Sequence, residues 1–170
     1  MTLDLGAVGK GVALDRIKDL LAQEPEVTGA VISVGGSVLT YGKKPDGSSF
    51  RVGIADPRDT ASYIGVLELD GQWCVSTSGD YERYVEYEGV RYHHIIDPAT
   101  GYPADSGVAG VTVLSGDGFL SDALSTACFI LGKEKGMALA AEYDVEVLFV
   151  EKDGTVSMSD GMRGYYREAR

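Results

Sequence analysis

Cysteine is nearly absent from the 170 residues: only Cys74 and Cys128 occur. Neither belongs to a Cys-x-x-Cys pair or a Cys/His cluster, which argues against a zinc site and a disulfide framework and leaves both as small core residues. Long apolar runs are missing too. The longest, such as residues 127–131, fall far short of the roughly 20 residues that a membrane span needs, so no membrane span is expected. Residues 2–5 bring neither the basic start nor the apolar stretch of a secretory signal. Positive charge is scarce: 15 Lys and Arg against 26 Asp and Glu give a formal net charge of −11. Such a surface repels a polyphosphate backbone, so nucleic acid is a poor partner, and a small anionic ligand needs local help from a cation, a helix N-terminus or a metal. No repeat, low-complexity tract or composition break divides the chain. With 44% hydrophobic and 24% charged residues, 1–170 reads as one globular domain able to bury a continuous core.

Apolar side chains at Val8, Val12, Ala13, Ile17, Leu20 and Leu21, with charged residues between them, predict a helix over 7–22, limited by Pro25. Strands are expected at 30–34, 38–41, 50–54 and 108–114. Three hairpins are expected around two-residue turns: 64–69 with 72–76 about Asp70-Gly71, 81–87 with 90–96 about Glu88-Gly89, and 145–150 with 155–158 about Asp153-Gly154. Helices follow at 119–131 and 133–143, separated by Gly132, and the end of the chain reads as a polar tail. The hairpins outnumber clear βαβ units, which points to an α+β or mixed α/β domain: a largely antiparallel or mixed sheet with helices packed on it.

Four stretches carry chemistry. In Ser121-Asp122-Ala123-Leu124-Ser125-Thr126, a helix places Asp122 and Thr126 within about 40° of each other on an otherwise apolar surface. A buried Asp needs a partner. A hard divalent cation is one; a helix cap from Asp122, with the Thr126 hydroxyl bonded back to a carbonyl, is the other and the commoner. Asp4-Leu5-Gly6-Ala7-Val8-Gly9-Lys10-Gly11 is a glycine-rich turn that feeds the first helix. Free amides beside a lysine can cradle an anion, although structural packing is the better bet and the Walker pattern is absent. His93 and His94, the only histidines, end a strand that breaks into Asp97-Pro98-Ala99-Thr100-Gly101. In a strand only one of them can face a given site, as a general base or simply half-exposed. Ser76-Thr77-Ser78-Gly79-Asp80-Tyr81 is a hydroxyl-rich corner, equally a ligand-holding loop or a plain turn; it lacks the Gly-x-Ser-x-Gly of a serine-hydrolase elbow.

The order and spelling of these pieces, with Val34-Gly35-Gly36-Ser37 and Glu82, resemble the ApbE family of FAD:protein FMN transferases, with five motifs between residues 4 and 126. The resemblance implies a Mg²⁺-dependent enzyme that splits FAD at its pyrophosphate, joins FMN to a Thr or Ser hydroxyl of an acceptor flavoprotein and releases AMP. Carried over by position, the Mg²⁺ ligands are the Asp122 carboxylate, the Thr126 hydroxyl and the Ala7 backbone carbonyl. Asp4, Lys10 and Ile95 match positions that contact FAD, and His94 matches the proposed base. Family members are typically periplasmic or cell-surface lipoproteins. They are also longer, so the chain reads as a carboxy-terminal portion; Gly9 and Ser37 depart from the frequent pattern. Two other functions stay open: a flavin- or nucleotide-binding module without transferase activity, and a Mg²⁺-dependent FAD pyrophosphatase that uses water in place of the acceptor.

Overall fold

The structure, a computed structural model, describes residues 4–169. Its centre is a six-stranded, wholly antiparallel sheet built from β1 (Gly29–Val34), β2 (Ser37–Gly42), β5 (Trp73–Gly79), β8 (Val108–Ser115), β9 (Glu146–Glu151) and β10 (Val156–Met158) in that spatial order. Both faces are covered. β8 is buried at all of its positions, which is why its sequence shows no polar alternation. On one face, Val111, Val113, Val147 and Phe149 pack against Leu124, Cys128, Phe129 and Ala140 of α2 (Gly118–Glu142). Beside α2, helix α1 (Gly9–Leu21) buries Leu14 on Leu39 and Cys74. On the opposite face, Val75, Leu114, Leu148 and Val150 meet Val52, Ile54, Leu67 and Leu69 of a second sheet. That sheet comprises β3 (Phe50–Asp56), β4 (Asp59–Leu69) and β11 (Tyr166–Glu168). The arrangement is the expected α+β one: helices, a large antiparallel sheet and a small sheet in three layers.

Two of the three expected hairpins form. β9 and β10 pair across Asp153-Gly154. β6 (Tyr84–Tyr87) and β7 (Val90–His93) pair around Glu88 and Gly89, whose φ values of 50° and 75° suit a two-residue turn, although the strands are shorter than expected. The third does not form. β4 pairs with β3 and β11, while β5 pairs with β2 and β8, so Asp70-Gly71 carries the chain from the small sheet to the large one. Gly71 still takes a positive φ of 91°; the dipeptide permits the turn, but burying Leu67 and Leu69 beneath the large sheet decides the partners. A hairpin that the sequence reading missed joins β3 to β4 through Pro57 and Arg58.

The supposed polar tail is structured. α3 (Met162–Tyr165) buries Met162 completely, and β11 completes the small sheet. Helix α1 begins two residues later than expected, because Val8 and Gly9 donate back to the Leu5 carbonyl in a turn. The expected break at Gly132 is present: its φ and ψ of 79° and 176° are non-helical and divide α2 in two. Among the described residues no helix is long and apolar enough to cross a membrane.

Candidate functional site

Helices α1 and α2 touch backbone to backbone where they cross. A Cβ on Gly11 would lie 2.0 Å from the Gly118 carbonyl oxygen and 2.8 Å from the Cβ of Asp122. This glycine is therefore needed for packing, as its turn suggested. Asp15 secures the same crossing: its two oxygens accept from the Gly118 and Phe119 amides at 2.8 and 2.9 Å, with Lys18 on Oδ1 at 2.9 Å. Burial alone would raise the Asp15 pKa, but the Gly118 amide, Lys18 and the Phe119 amide more than offset it and hold the carboxyl below its ordinary value.

The crossing places Asp122 in the interior, 1% exposed. It does not cap its own helix; Asp117 does that, accepting from the Leu120 amide at 2.8 Å. Instead Asp122 Oδ2 accepts from the Gly11 amide of α1 at 2.9 Å, and Oδ1 meets Lys10 Nζ at 2.7 Å. The buried charge thus has a cationic partner from the glycine-rich turn, an association invisible at a separation of more than a hundred residues. Thr126, one turn on, does not bond back to a carbonyl through its hydroxyl. Its Oγ1 lies 3.2 Å from Ser78 Oγ on β5; the hydroxyl that bonds back is that of Ser125, onto the Asp122 carbonyl at 2.9 Å.

Above this floor opens a cleft of about 670 Å³. Asp4, Ala7 and Lys10 line it from the glycine-rich turn, His94 and Ile95 from the end of the β6–β7 hairpin, and Thr126 from α2, so six of the seven expected site residues share one cavity. The seventh, Asp122, reaches it through Lys10. Asp4 Oδ1 accepts from the Gly6 amide at 2.7 Å and shapes the turn. Ile95 is almost fully buried, with its neighbour Ile96 exposed at the rim.

The two histidines divide their work. His93 is buried, edge-on to Phe129 with ring centroids 5.4 Å apart. Its Nε2 donates to the Ala104 carbonyl at 3.0 Å, and its Nδ1 accepts from the Ile95 amide at 3.3 Å, so neither nitrogen is free. His94 is exposed on the cleft, and its Nδ1 can only donate to the Arg83 carbonyl, 3.2 Å away. In the neutral ring Nε2 then carries the lone pair.

Ser78, Glu82 and Arg83 also line the cleft, although the sequence singled out none of them as an individual site residue. Desolvation raises the Glu82 carboxyl above its ordinary value, with Lys10, His94 and Arg83 pulling it back and Asp122 adding to the rise. Glu82 lies over the β1–β2 turn, where a Cβ on Gly36 would come within 3.3 Å of its Oε1. The stretch 76–82 was the available signal for Ser78 and Glu82; Arg83 carries none.

The family model described as the ApbE family matches residues 1–149. The chain belongs to the ApbE family. It is 42% identical over 165 residues to a Klebsiella pneumoniae protein named FAD:protein FMN transferase, covering 96% of this chain and 50% of the relative. A Treponema pallidum protein of the same name is 41% identical over 171 residues, with 95% and 47% covered. Among solved structures, the ApbE protein of Thermotoga maritima superposes with a TM-score of 0.89 at 38% identity, covering 98% of this chain and 54% of that one. The apo flavinyl transferase ApbE of Pseudomonas stutzeri superposes at 0.81 and 34% identity, with 99% and 53% covered. The chain thus spans about half the length of the curated relatives it matches.

Within this ApbE-family cleft, the donors suited to a hard divalent cation are all oxygens: the Asp122 carboxylate, the Thr126 hydroxyl and the Ala7 carbonyl. Because the Gly11 amide turns to Asp122 rather than back along the helix, no described hydrogen bond uses the Ala7 carbonyl. Among the described residues no three His, Cys, Asp or Glu side chains cluster as a metal cage. A cation here would complete its shell with water or ligand oxygens, as Mg²⁺ commonly does. One feature competes: the Lys10 ammonium already sits on Asp122 Oδ1.

Proposed function

We propose that this chain carries the cation-binding and base-bearing part of a Mg²⁺-dependent FAD:protein FMN transferase, which moves FMN from FAD onto a Thr or Ser hydroxyl of an acceptor flavoprotein. The observation that carries the reading is the shared cleft, which joins the Lys10 ammonium, itself paired with the buried Asp122 carboxylate, the Thr126 and Ser78 hydroxyls, and an exposed imidazole whose Nε2 has no hydrogen-bond partner among the described residues. On a surface of net charge −11 this is a local place prepared for a pyrophosphate.

Asp122, Thr126 and the Ala7 carbonyl would hold Mg²⁺. When bound, it supplies charge neutralisation to the pyrophosphate and the departing phosphate. Lys10 adds a positive charge on the same side, and the N-terminus of α1 adds its dipole. Ile95 offers an apolar wall, and Asp4 holds the turn that carries Ala7. His94 Nε2 takes the proton of the acceptor hydroxyl as its oxygen bonds to the FMN phosphorus; the bond from that phosphorus to the bridging oxygen breaks, and AMP leaves with the electron pair. The Arg83 carbonyl orients the ring by accepting from Nδ1.

Incubating the chain with FAD, Mg²⁺ and a flavin-free acceptor, then weighing the acceptor, tests this. The expected result is an acceptor heavier by one FMN with an equivalent of AMP. Free FMN and AMP beside an unchanged acceptor would mean that water is the true nucleophile. Intact FAD would leave a flavin-binding role.

A further inference from the structure

Three linked hydroxyls, Thr126 and Ser78 lining the cleft and Ser125 beneath it, have a polarity that can be read from their partners. Ser125 Oγ is 2.9 Å from the Asp122 carbonyl, which can only accept, so the single Ser125 proton goes there. Ser78 Oγ is 2.9 Å from Ser125 Oγ, whose proton is spent, so Ser78 donates to Ser125. Thr126 Oγ1 is 3.2 Å from Ser78 Oγ, whose proton is now spent as well, so Thr126 donates to Ser78. All three protons point inward, ending on the carbonyl of the residue whose side chain forms the cleft floor. The reverse polarity would place only two of the three bonds inside the protein, leave the Ser125–carbonyl contact without its proton and send the Thr126 proton into the cleft. One bond's difference favours the inward chain roughly fivefold. Ser125 is fully buried and Ser78 nearly so, so water cannot readily scramble it.

We propose that Ser78 and Ser125 are positioning residues that commit the Thr126 proton inward, presenting the Thr126 oxygen to the cleft as an acceptor only, a ligand for a divalent cation beside Asp122. This rests on the reading above that a cation binds there, and it extends that reading to two residues that need not touch the cation. A hydroxyl free to rotate spends part of its time offering a proton to the incoming charge; one held by the relay does not. Ser125 does not line the cleft, so any effect of its hydroxyl on the cation must come through Ser78 and Thr126.

Mn²⁺ binding measured by electron paramagnetic resonance, with thermal melts on the same samples, tests the relay. Ser125→Ala should bind Mn²⁺ about 2- to 5-fold more weakly than the parent with a small change in melting, and Ser78→Ala should lose at least as much. Asp122→Asn marks the background from the acidic surface. Parental affinity in Ser125→Ala overturns the relay while leaving the cation site standing; no specific Mn²⁺ binding by the parent overturns the cation reading and the relay's purpose with it. Neutron diffraction on the deuterated protein gives the polarity without any metal: a Thr126 deuteron toward Ser78 supports the proposal, and one pointing into the cleft overturns it.

Discussion

Replacing Lys10 by Met separates two duties of one ammonium. At 2.7 Å and an effective dielectric constant of about 20, the gross attraction between Lys10 and Asp122 is about 6 kcal/mol, much of it offset by stripping water from a carboxylate that is 2% exposed. Breaking a buried pair by removing one partner usually costs about 3–5 kcal/mol. Lys10 itself is 32% exposed and Asp122 keeps the Gly11 amide, so the expected loss is smaller, about 2 kcal/mol. For a chain of this size that is a fall of about 4–8 °C in melting temperature, read in EDTA. Mg²⁺ should then restore the variant more than it raises the parent, because in the parent the cation must compete with the ammonium for Asp122 Oδ1. At a hundred times the dissociation constant, binding adds about 2.7 kcal/mol, enough to recover the whole loss. Asp122→Asn should show no Mg²⁺ response. Equal Mg²⁺ shifts in parent and Lys10→Met, or no loss in EDTA, would refute the idea that the ammonium occupies the cation's place.

His94→Ala should cut acceptor flavinylation by about 10²–10⁴-fold with an unchanged melt, whereas His93→Ala should lower stability by about 2–3 kcal/mol through loss of two hydrogen bonds and the Phe129 contact; denaturant curves and acceptor mass separate them. Gly11→Ala should destabilise by more than about 2 kcal/mol and weaken flavin binding together, since the added methyl meets the Gly118 carbonyl; a variant that melts like the parent would disprove the crossing. Asp15 has a lowered pKa in the fold, so its contribution is full above the unfolded carboxyl value of about 4 and is lost as pH falls through the lower folded one. The stability gap between the parent and Asp15→Asn should therefore be widest near neutral pH and close under acid, in urea titrations from pH 7 to pH 2.

Where the candidate residues would lie was more legible than which strands would pair, for a physical reason. Asp122 and Thr126 are one helical turn apart, so periodicity alone sets them on one face, and alternation in a strand splits His93 from His94. It does not say which of the two is buried; the Phe129 ring and the Ala104 carbonyl decide that, and both come from elsewhere in the chain. For the same reason His93 is a core residue rather than a replaceable surface one. The pairing of Asp122 with Lys10, and that of β4 with β3 and β11, are long-range packing decisions with no local spelling. The tail misled because its one decisive apolar residue, Met162, sits among polar neighbours.

The bond from the Gly11 amide to Asp122 spans 111 positions of sequence, and those from Gly118 and Phe119 to Asp15 span 103 and 104. Closing loops of that length costs chain entropy, which the assembled strands between them offset, so the cleft floor is expected to form together with the sheet. Ligand affinity at this place is therefore a gauge of global cooperativity. Amide protons in α1, β5 and α2 should slow their exchange together when a ligand binds, as one unit, and a destabilising change far out in the small sheet should weaken binding by the fraction of molecules it unfolds, with no local lesion at the cleft.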